Sequence, residues 1–135
     1  MTVLLVDAAN VVGARPDGWW RDRAGATTRL LDRLAIARTG LSAPDGSRIT
    51  EIVAVVEGRA RDVTAPGGVR VVRAEGSGDD ALVACANELA DAGTPLVVVT
   101  ADRGLRARLP TGVPLLGPGR LLAQLDGSAD RSRPT

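Results

Sequence analysis

Histidine, lysine, tyrosine and phenylalanine are all missing from this 135-residue sequence, and cysteine occurs once. Without histidine or lysine the chain cannot build a Ser-His triad, a Schiff-base lysine, a P-loop lysine or a histidine-ligated metal site. The single Cys85 allows neither an internal disulfide nor a cysteine-ligated zinc cluster. We expect it to be a small core residue of a cytoplasmic protein. The side chains left for catalysis are carboxylates, which favour hard cations.

Long hydrophobic runs are also missing, so we expect neither a signal peptide nor a membrane-spanning segment, and no membrane partner. Hydrophobic residues nevertheless make up 44% of the chain, and the formal net charge is only +1. This composition and length are typical of one globular domain with a sizeable core.

Apolar runs rich in β-branched residues predict five strands, at 2–6, 50–56, 69–73, 96–100 and 114–116. The runs are continuous rather than alternating, which is typical of parallel strands covered on both faces. Helical spacing predicts the intervening helices, at 25–38, 79–93, 103–109 and 118–126.

Strands that alternate with helices favour an α/β fold, a three-layer sandwich around a mainly parallel five-stranded sheet. We expect one domain over residues 1–126. The polar residues 127–135 are expected to form a disordered tail.

Carboxylates lie where the predicted strands end. Asp7 ends the first strand, Glu57 ends the second, Asp79 and Asp80 open the helix after the third, and Asp102 follows the fourth. Sites in parallel sheets form beyond the carboxyl ends of the strands, where the strand order reverses. Carboxylates gathered there would repel one another unless a cation lay between them, and Mg²⁺ or Mn²⁺ suits such oxygen ligands. An ion of this kind can support phosphodiester hydrolysis.

Several of these residues have structural alternatives. Asp7 could cap a turn through its own backbone, although the apolar run leading into it favours a site. Asn10 could hold the same turn, or orient Asp7 or a bound phosphate. Asp102 could be the N-cap of a short helix, which does not exclude metal binding. For Glu57, an ion pair with Arg59 or Arg61 is favoured over contact with a metal.

The stretch "SGDD" poses a choice between two neighbouring acids. It is a possible capping box, with Ser77 at the cap and Asp80 reaching back from the first turn. Asp79 lies one turn before Leu82, on the side that faces the sheet. We therefore expect Asp79 to be the metal ligand and Asp80 a cap or a more distant support. A shift of one residue would make Asp80 the ligand.

Basic and aromatic residues follow the same strand ends and could hold the backbone of a nucleic acid around the acidic centre. The candidate RNA-binding residues are Arg15, Trp20, Arg21, Arg59, Arg61 and Arg103, with Arg23 and Arg106 nearby. The alternative for the arginines is a solvated surface balanced by sixteen acids. In "DGWWRDR" one indole could stack on a base while the other anchors the first helix.

Four segments in this order resemble the PIN-like nucleases, specifically the NYN family and its YacP-like branch. They are "LLVDAANVVGARP", "VVEGRARD", "GSGDDALV" and "VVVTADRGLRARL", and the match runs from about residue 3 to about residue 125. The resemblance implies the PIN fold with strand order 3-2-1-4-5. It also implies divalent-metal-dependent RNA cleavage, with an endonucleolytic cut.

For individual residues, the resemblance implies an acidic centre of Asp7, Asp79 and Asp102, supported by Asn10 and Thr100. Many PIN-like enzymes carry a further Asp two residues after the last acid, where this chain has Gly104. The YacP-like branch also tends to lack that acid. Its absence implies either a three-acid, one-metal site or weakened catalysis.

The main rival is a PIN-like binding module that holds RNA or a ribosomal partner without cutting. A phospho-receiver domain would need an acidic pair after the first strand and a late lysine, and neither is present. A dinucleotide-binding domain would need a glycine-rich turn where this chain has "DAANVVG". We reject these last two.

Overall fold

A parallel sheet forms the middle layer of the structure, a computed structural model that describes residues 2–15 and 18–132. Its strands are β1 (Thr2–Asp7), β2 (Ile49–Val56), β3 (Val69–Arg73), β4 (Leu96–Val99) and β5 (Leu115–Leu116). They pair in the order β3-β2-β1-β4-β5, and every pairing is parallel. The α/β class, the five strands and the 3-2-1-4-5 order are confirmed.

Five α-helices connect and cover the strands: α1 (Ala8–Val12), α2 (Arg23–Ala37), α3 (Gly78–Asp91), α4 (Arg103–Arg108) and α5 (Pro118–Ser132). Short 3₁₀ turns occupy Trp19–Arg21 and Gly58–Ala60. None of the helices in the described ranges has both the length and the apolar character needed to cross a membrane.

Two helical features differ from expectation. The short helix α1, directly after Asp7, is not predicted by the sequence pattern, because five residues are too few to show a period. Helix α5 continues to Ser132, so the prediction that it ends at 126 is wrong. The expectation of a disordered tail over 127–135 stays a prediction. Extending an existing helix costs little per residue, even through polar sequence. Residues 133–135 lie outside the described residues.

The helices cover both faces of the sheet, which gives the expected three layers. Successive residues of a strand point to opposite faces. Leu4 and Val6 of β1 accordingly pack with α1, α2 and α5, while Val3 and Leu5 pack with α3 and α4. Strand β1 is buried along its whole length, so its carboxyl end opens directly onto the sheet edge where a site is expected.

Cys85 lies in α3 and is half-buried beside the core on the α3 and α4 side of the sheet. Burial raises the pKa of its thiol above the ordinary value. A thiol held neutral in this way is a poor nucleophile, so its contribution is packing.

The packing of α3 predicts a first measurement. Leu82 is fully buried, and truncating a buried leucine to alanine leaves a cavity, so Leu82→Ala should lower the free energy of unfolding by about 2–5 kcal/mol. Ile36→Ala is the control because Ile36 is 70% exposed and should change stability by no more than about 0.5 kcal/mol. Urea denaturation followed by circular dichroism measures both. Equal effects would contradict the packing described here.

Candidate active site

An open cleft lies beyond the carboxyl ends of β1, β2 and β4, and we call it the acidic cleft. It has a volume of about 320 Å³ and is lined by Asp7, Ala9, Asn10, Glu57, Ser77, Asp79 and Asp102. Four of these seven residues are acidic, and none is basic. The cleft adjoins β1 and β4, the neighbouring strands between which the chain order reverses, as expected for a site in a parallel sheet.

Asp7 is the most buried of the acids, with only 8% of its surface exposed. Its carboxylate caps α1 by accepting the backbone N–H of Asn10 at 3.4 Å, and it accepts the Thr100 hydroxyl at 3.3 Å. Burial nevertheless raises the pKa of Asp7 from 3.8 to about 6, and the charges of Asp79 and Glu57 add to the effect. Asp7 is therefore both a cap and a wall of the cleft, so the two interpretations of this residue are compatible.

Hydrogen bonds of Thr100 and Asn10 connect the carboxyl end of β1 to the loop that follows β4. The Thr100 hydroxyl donates to Asp7 and also accepts the backbone N–H of Asp102 at 3.1 Å. The side-chain oxygen of Asn10 accepts the backbone N–H of Ala101 at 2.8 Å. Asn10 thus holds the loop after β4 rather than its own turn, and together these bonds fix the position of Asp102 relative to Asp7.

Asp102 is the N-cap of α4, where its carboxylate accepts the backbone N–H of Leu105 at 3.0 Å. The predicted cap is therefore present, and Asp102 still lines the acidic cleft. Gly104 lies beside it: a Cβ atom built on this glycine would be 3.4 Å from the Asp102 carboxylate, an ordinary contact. A Cβ atom at position 104 would therefore fit.

Asp79 and Asp80, the two acids of "SGDD", point in different directions in the structure. Ser77 caps α3 by accepting the backbone N–H of Asp79 at 3.2 Å, and Asp79 faces the cleft. Burial and then the charge of Asp102 raise the pKa of Asp79 above its ordinary value. Asp80 instead pairs with Arg108 at 2.6 Å on the surface. Asp80 therefore neither completes the capping box nor lines the cleft, because it points to the exposed side of α3.

Glu57 forms a hydrogen bond to the start of α3 that the sequence pattern does not predict. Its carboxylate accepts the backbone N–H of Gly78, the first residue of α3, at 2.7 Å. A Cβ atom on Gly78 would be only 2.6 Å from that carboxylate group, so the glycine makes room for it. The expected ion pair with Arg59 or Arg61 is absent among the described residues, because the Glu57 carboxylate is hydrogen-bonded to the start of α3, where a negative charge is favourable.

The donors around the acidic cleft fit a small divalent cation. They are hard oxygens, and burial together with the neighbouring carboxylates raises the pKa values of two of them, Asp7 and Asp79. Within the described ranges no three such side chains are arranged to hold one ion by themselves. A cation here would therefore be bound by one or two carboxylates and keep several waters, which is the usual coordination of Mg²⁺.

The predicted arginine rim is not part of the cleft wall. Arg15 pairs with Asp126 at 2.6 Å and lines a separate cavity between α1, α2 and α5. Arg21 lies over the Trp20 ring at 5.9 Å. Arg59, Arg61 and Arg103 are exposed. They lie on segments that follow β2 and β4, as predicted. Arg15 instead forms its ion pair outside the acidic cleft.

The two tryptophans have different environments. Trp20 is 54% exposed and meets Trp19 edge-on, with ring centroids 6.2 Å apart. Trp19 is half-buried and lines a second cavity of about 300 Å³, which we call the Trp19 cleft. Its other walls include Val12, Arg23, Thr27, Val56 and Ala60, and it shares Ala9 and Glu57 with the acidic cleft.

The sequence pattern does not predict the Trp19 cleft, although one residue of α2, Thr27, points to it. Thr27 precedes Leu30, Leu31 and Leu34 at helical spacing, so a hydroxyl interrupts the apolar stripe of α2. A polar residue on the buried face of a helix indicates a hydrogen-bonding role. Arg23 lies one turn earlier on the same helix, with its guanidinium over the Trp19 ring at 5.4 Å.

No protein-family model matches this sequence, and no curated protein matches it either. Two crystal structures of Rae1 (YacP) from Bacillus subtilis, one of them a tryptophan-to-leucine mutant, superpose with TM-scores of 0.72 and 0.69. The alignments cover 97% of this chain and 77% and 79% of the Rae1 chains, at 20% sequence identity. The chain has the fold of Rae1 (YacP).

The contact between Glu57 and Gly78 predicts the effect of Gly78→Ala. The added Cβ would displace the carboxylate and break a charged hydrogen bond worth about 1.5–3 kcal/mol. Alanine's helix preference offsets up to about 1 kcal/mol of that loss. We expect a net destabilisation of about 1 kcal/mol, measured by urea denaturation.

Two comparisons test the cause of that loss. Gly76→Ala should be neutral or slightly stabilising, because nothing lies within 4 Å of its Cβ position. In a Glu57→Ala background, Gly78→Ala should also be neutral or stabilising, because the bond is already gone. An equal loss in both backgrounds would show that Glu57 is not the cause.

The raised pKa of Asp7 predicts a pH dependence of stability in metal-free protein. The native state holds the Asp7 proton more tightly than the unfolded chain does, so this proton favours folding at pH 4. That contribution is lost as the pH rises from 3.8 to about 6. Asp7→Asn keeps the acceptor oxygen but not the charge, and should be more stable than wild type at pH 8 by on the order of 2 kcal/mol.

Thermal unfolding in EDTA at pH 4 and pH 8 measures this difference. The two proteins should have similar stabilities at pH 4, where Asp7 is largely protonated in the native state. Asp80→Asn, which removes an acid outside the cleft, should show no gain at pH 8. If Asp7→Asn were less stable than wild type at pH 8, the charge of Asp7 would not destabilise the native state.

Proposed function

We propose that this chain is a divalent-metal-dependent ribonuclease that cleaves RNA phosphodiester bonds internally, a member of the NYN family of PIN-like nucleases. The observation that supports it most is the convergence of Asp7, Asp79 and Asp102 on one open cleft at the switch point of the sheet. These are the acids that the sequence resemblance implies for the catalytic centre. The fold shared with Rae1 (YacP) agrees with the proposal.

Asp7, Asp79 and Asp102 are the acids proposed to bind Mg²⁺ or Mn²⁺, one or two of them directly and the rest through the waters of the ion. When bound, the ion would activate water and stabilise the oxygen that leaves in phosphodiester hydrolysis. Glu57 lines the same cleft but already accepts the N–H of Gly78, so we assign it to positioning α3. Asp80 is not among the proposed ligands, since it pairs with Arg108 outside the cleft.

Thr100 and Asn10 are proposed to keep the acids in register. Thr100 bonds Asp7 and the backbone of Asp102 at once, so its hydroxyl fixes the distance between two of the proposed ligands. Asn10 anchors the loop that carries Asp102. Ligands held in place in this way need little rearrangement when an ion binds.

Exposed arginines near the cleft are proposed to contact the RNA backbone. Arg59 and Arg61 follow β2, and Arg103 opens α4 beside Asp102. Cations on these segments can pair with phosphates without entering the acidic cleft. The expected substrate is RNA in the cytoplasm. Arg15 is not among the proposed RNA contacts, because it forms an ion pair with Asp126.

A second candidate function rests on Gly104. The further acid that many PIN-like enzymes carry is missing there, although a Cβ atom would meet only an ordinary contact. Such a chain would hold RNA or a ribosomal partner without cleaving it.

A cleavage assay tests the proposed function. Labelled single-stranded RNA of mixed sequence is incubated with the protein in Mg²⁺, Mn²⁺ or EDTA. Cleavage should require a metal and fall at least about a hundredfold in Asp7→Asn and Asp79→Asn, since each removes a proposed ligand. The matched control is Asp80→Asn, the neighbouring acid outside the cleft, which should cleave at a rate close to wild type.

The outcomes separate the two candidate functions. Binding without cleavage in either metal would contradict the nuclease and favour the binding module. In that case Gly104→Asp, which restores the acid that many PIN-like enzymes carry, is the variant to assay next. If Asp80→Asn lost as much activity as Asp79→Asn, the acidic cleft would not be the catalytic centre.

A further inference from the structure

The Trp19 cleft adjoins the acidic cleft. The two cavities share Ala9 and Glu57 as lining residues, so these side chains border both. The acidic cleft lies at the strand ends, whereas the Trp19 cleft extends between the end of β2, α1 and the start of α2. A substrate bound at the acids therefore has a second cavity directly beside its reacting group.

The walls of the Trp19 cleft differ in chemistry from those of the acidic cleft. Val12, Val56 and Ala60 are apolar, and Trp19 contributes an indole ring. The guanidinium of Arg23 lies over that ring at 5.4 Å. Thr27, only 3% exposed, offers a hydroxyl in an otherwise apolar wall. Apolar surface, an aromatic ring and a few hydrogen-bonding groups are the usual features of a pocket for a flat organic group.

The charge of the cleft argues against a phosphate there. Glu57 borders it, and among the lining residues that the structure describes Arg23 is the one cation. A phosphate in the cavity would lie near the Glu57 carboxylate and gain a single cationic partner. A nucleobase is uncharged, has hydrogen-bonding edges, and stacks on aromatic rings with a gain of about 1–3 kcal/mol per base.

We propose that the Trp19 cleft is a nucleobase subsite, which takes the base of the nucleotide next to the phosphate at the acidic cleft. The proposal rests on the proposed function, since it assigns to that RNA substrate a second point of contact. It assigns base recognition to Trp19, Arg23 and Thr27. Trp20, the tryptophan among the candidate RNA-binding residues, lines neither cleft.

Two single-tryptophan proteins test the assignment directly, because the chain contains only two tryptophans. Trp20→Leu leaves Trp19 as the sole fluorophore, and Trp19→Leu leaves Trp20. Each is titrated in EDTA, where a metal-dependent nuclease does not cut, with a short single-stranded oligoribonucleotide. A second titration uses an oligomer of the same length in which every base is absent. Binding is followed independently by the anisotropy of a label on the oligomer.

The Trp19 fluorescence should be quenched in a saturable way by the intact RNA and not by the abasic oligomer. The Trp20 fluorescence should change much less. Quenching of Trp20 alone would overturn the proposal in favour of the exposed indole. Equal quenching of Trp19 by both oligomers would also overturn it, because the cavity would then respond to backbone charge.

Steady-state cleavage provides a second readout. Trp19→Leu should raise KM by about tenfold or more, as expected for the loss of one stacked base, with a much smaller change in kcat. Thr27→Val, which keeps the shape but removes the hydroxyl, should change the relative KM values for substrates with different bases at that position. A fall in kcat with KM unchanged in Trp19→Leu would overturn the subsite.

The failures of the two proposals are distinguishable. RNA that quenches Trp19 but is never cleaved supports the subsite and contradicts the nuclease. RNA that is cleaved without any response from Trp19 supports the nuclease and contradicts the subsite. If no RNA binds in EDTA, as judged by the anisotropy of the label, and none is cleaved with Mg²⁺ or Mn²⁺, both proposals are overturned.

Discussion

The burial of one carboxylate organises this site. Strand β1 is covered on both faces and ends in Asp7, so the charge of Asp7 lies at the edge of the core with 8% of its surface exposed. The Thr100 hydroxyl and the N–H of Asn10 stabilise it, but not enough to keep its pKa low. The geometry of the acidic cleft follows from these bonds, because the same Thr100 hydroxyl also holds the backbone of Asp102. Substituting Thr100 would therefore affect both acids.

Stability and function place opposite demands on this part of the fold. Burial, and to a smaller extent repulsion among the carboxylates, raises the pKa values of Asp7 and Asp79, so the arrangement weakens the native state when these acids are ionised and no cation is present. Proteins tolerate such local conflict mainly at functional sites, with the surrounding core as compensation. Here the compensation is an extensive aliphatic core on both faces of the sheet. Structural needs alone would favour an uncharged residue at position 7.

The sequence predicts most of the fold because parallel strands covered on both faces appear as continuous apolar runs, and the long helices α2 and α3 show clear periodicity. It also locates Asp7, Asp79 and Asp102, because strand ends in such a sheet meet at one edge. It does not predict the partners of Glu57 and Asp80. Those depend on which way a side chain turns from a helix or loop, as the pairs Glu57–Gly78 and Asp80–Arg108 show. The Trp19 cleft needs the packing of α2 against the end of β2, which no local pattern contains.

The hydrogen bond between Asp7 and Thr100 joins residues 93 positions apart in the chain. Asp7 ends β1 and Thr100 follows β4. These two strands are neighbours in the sheet, yet β2, β3 and α3 are synthesised between them. During translation the first acid is therefore made early and remains without its partners until β4 has emerged and paired with β1. A chain that stops before residue 100 can contain Asp7 and Asp79 but cannot assemble the cleft. Any activity of the cleft thus belongs to finished domains, and truncated products of interrupted synthesis would lack it.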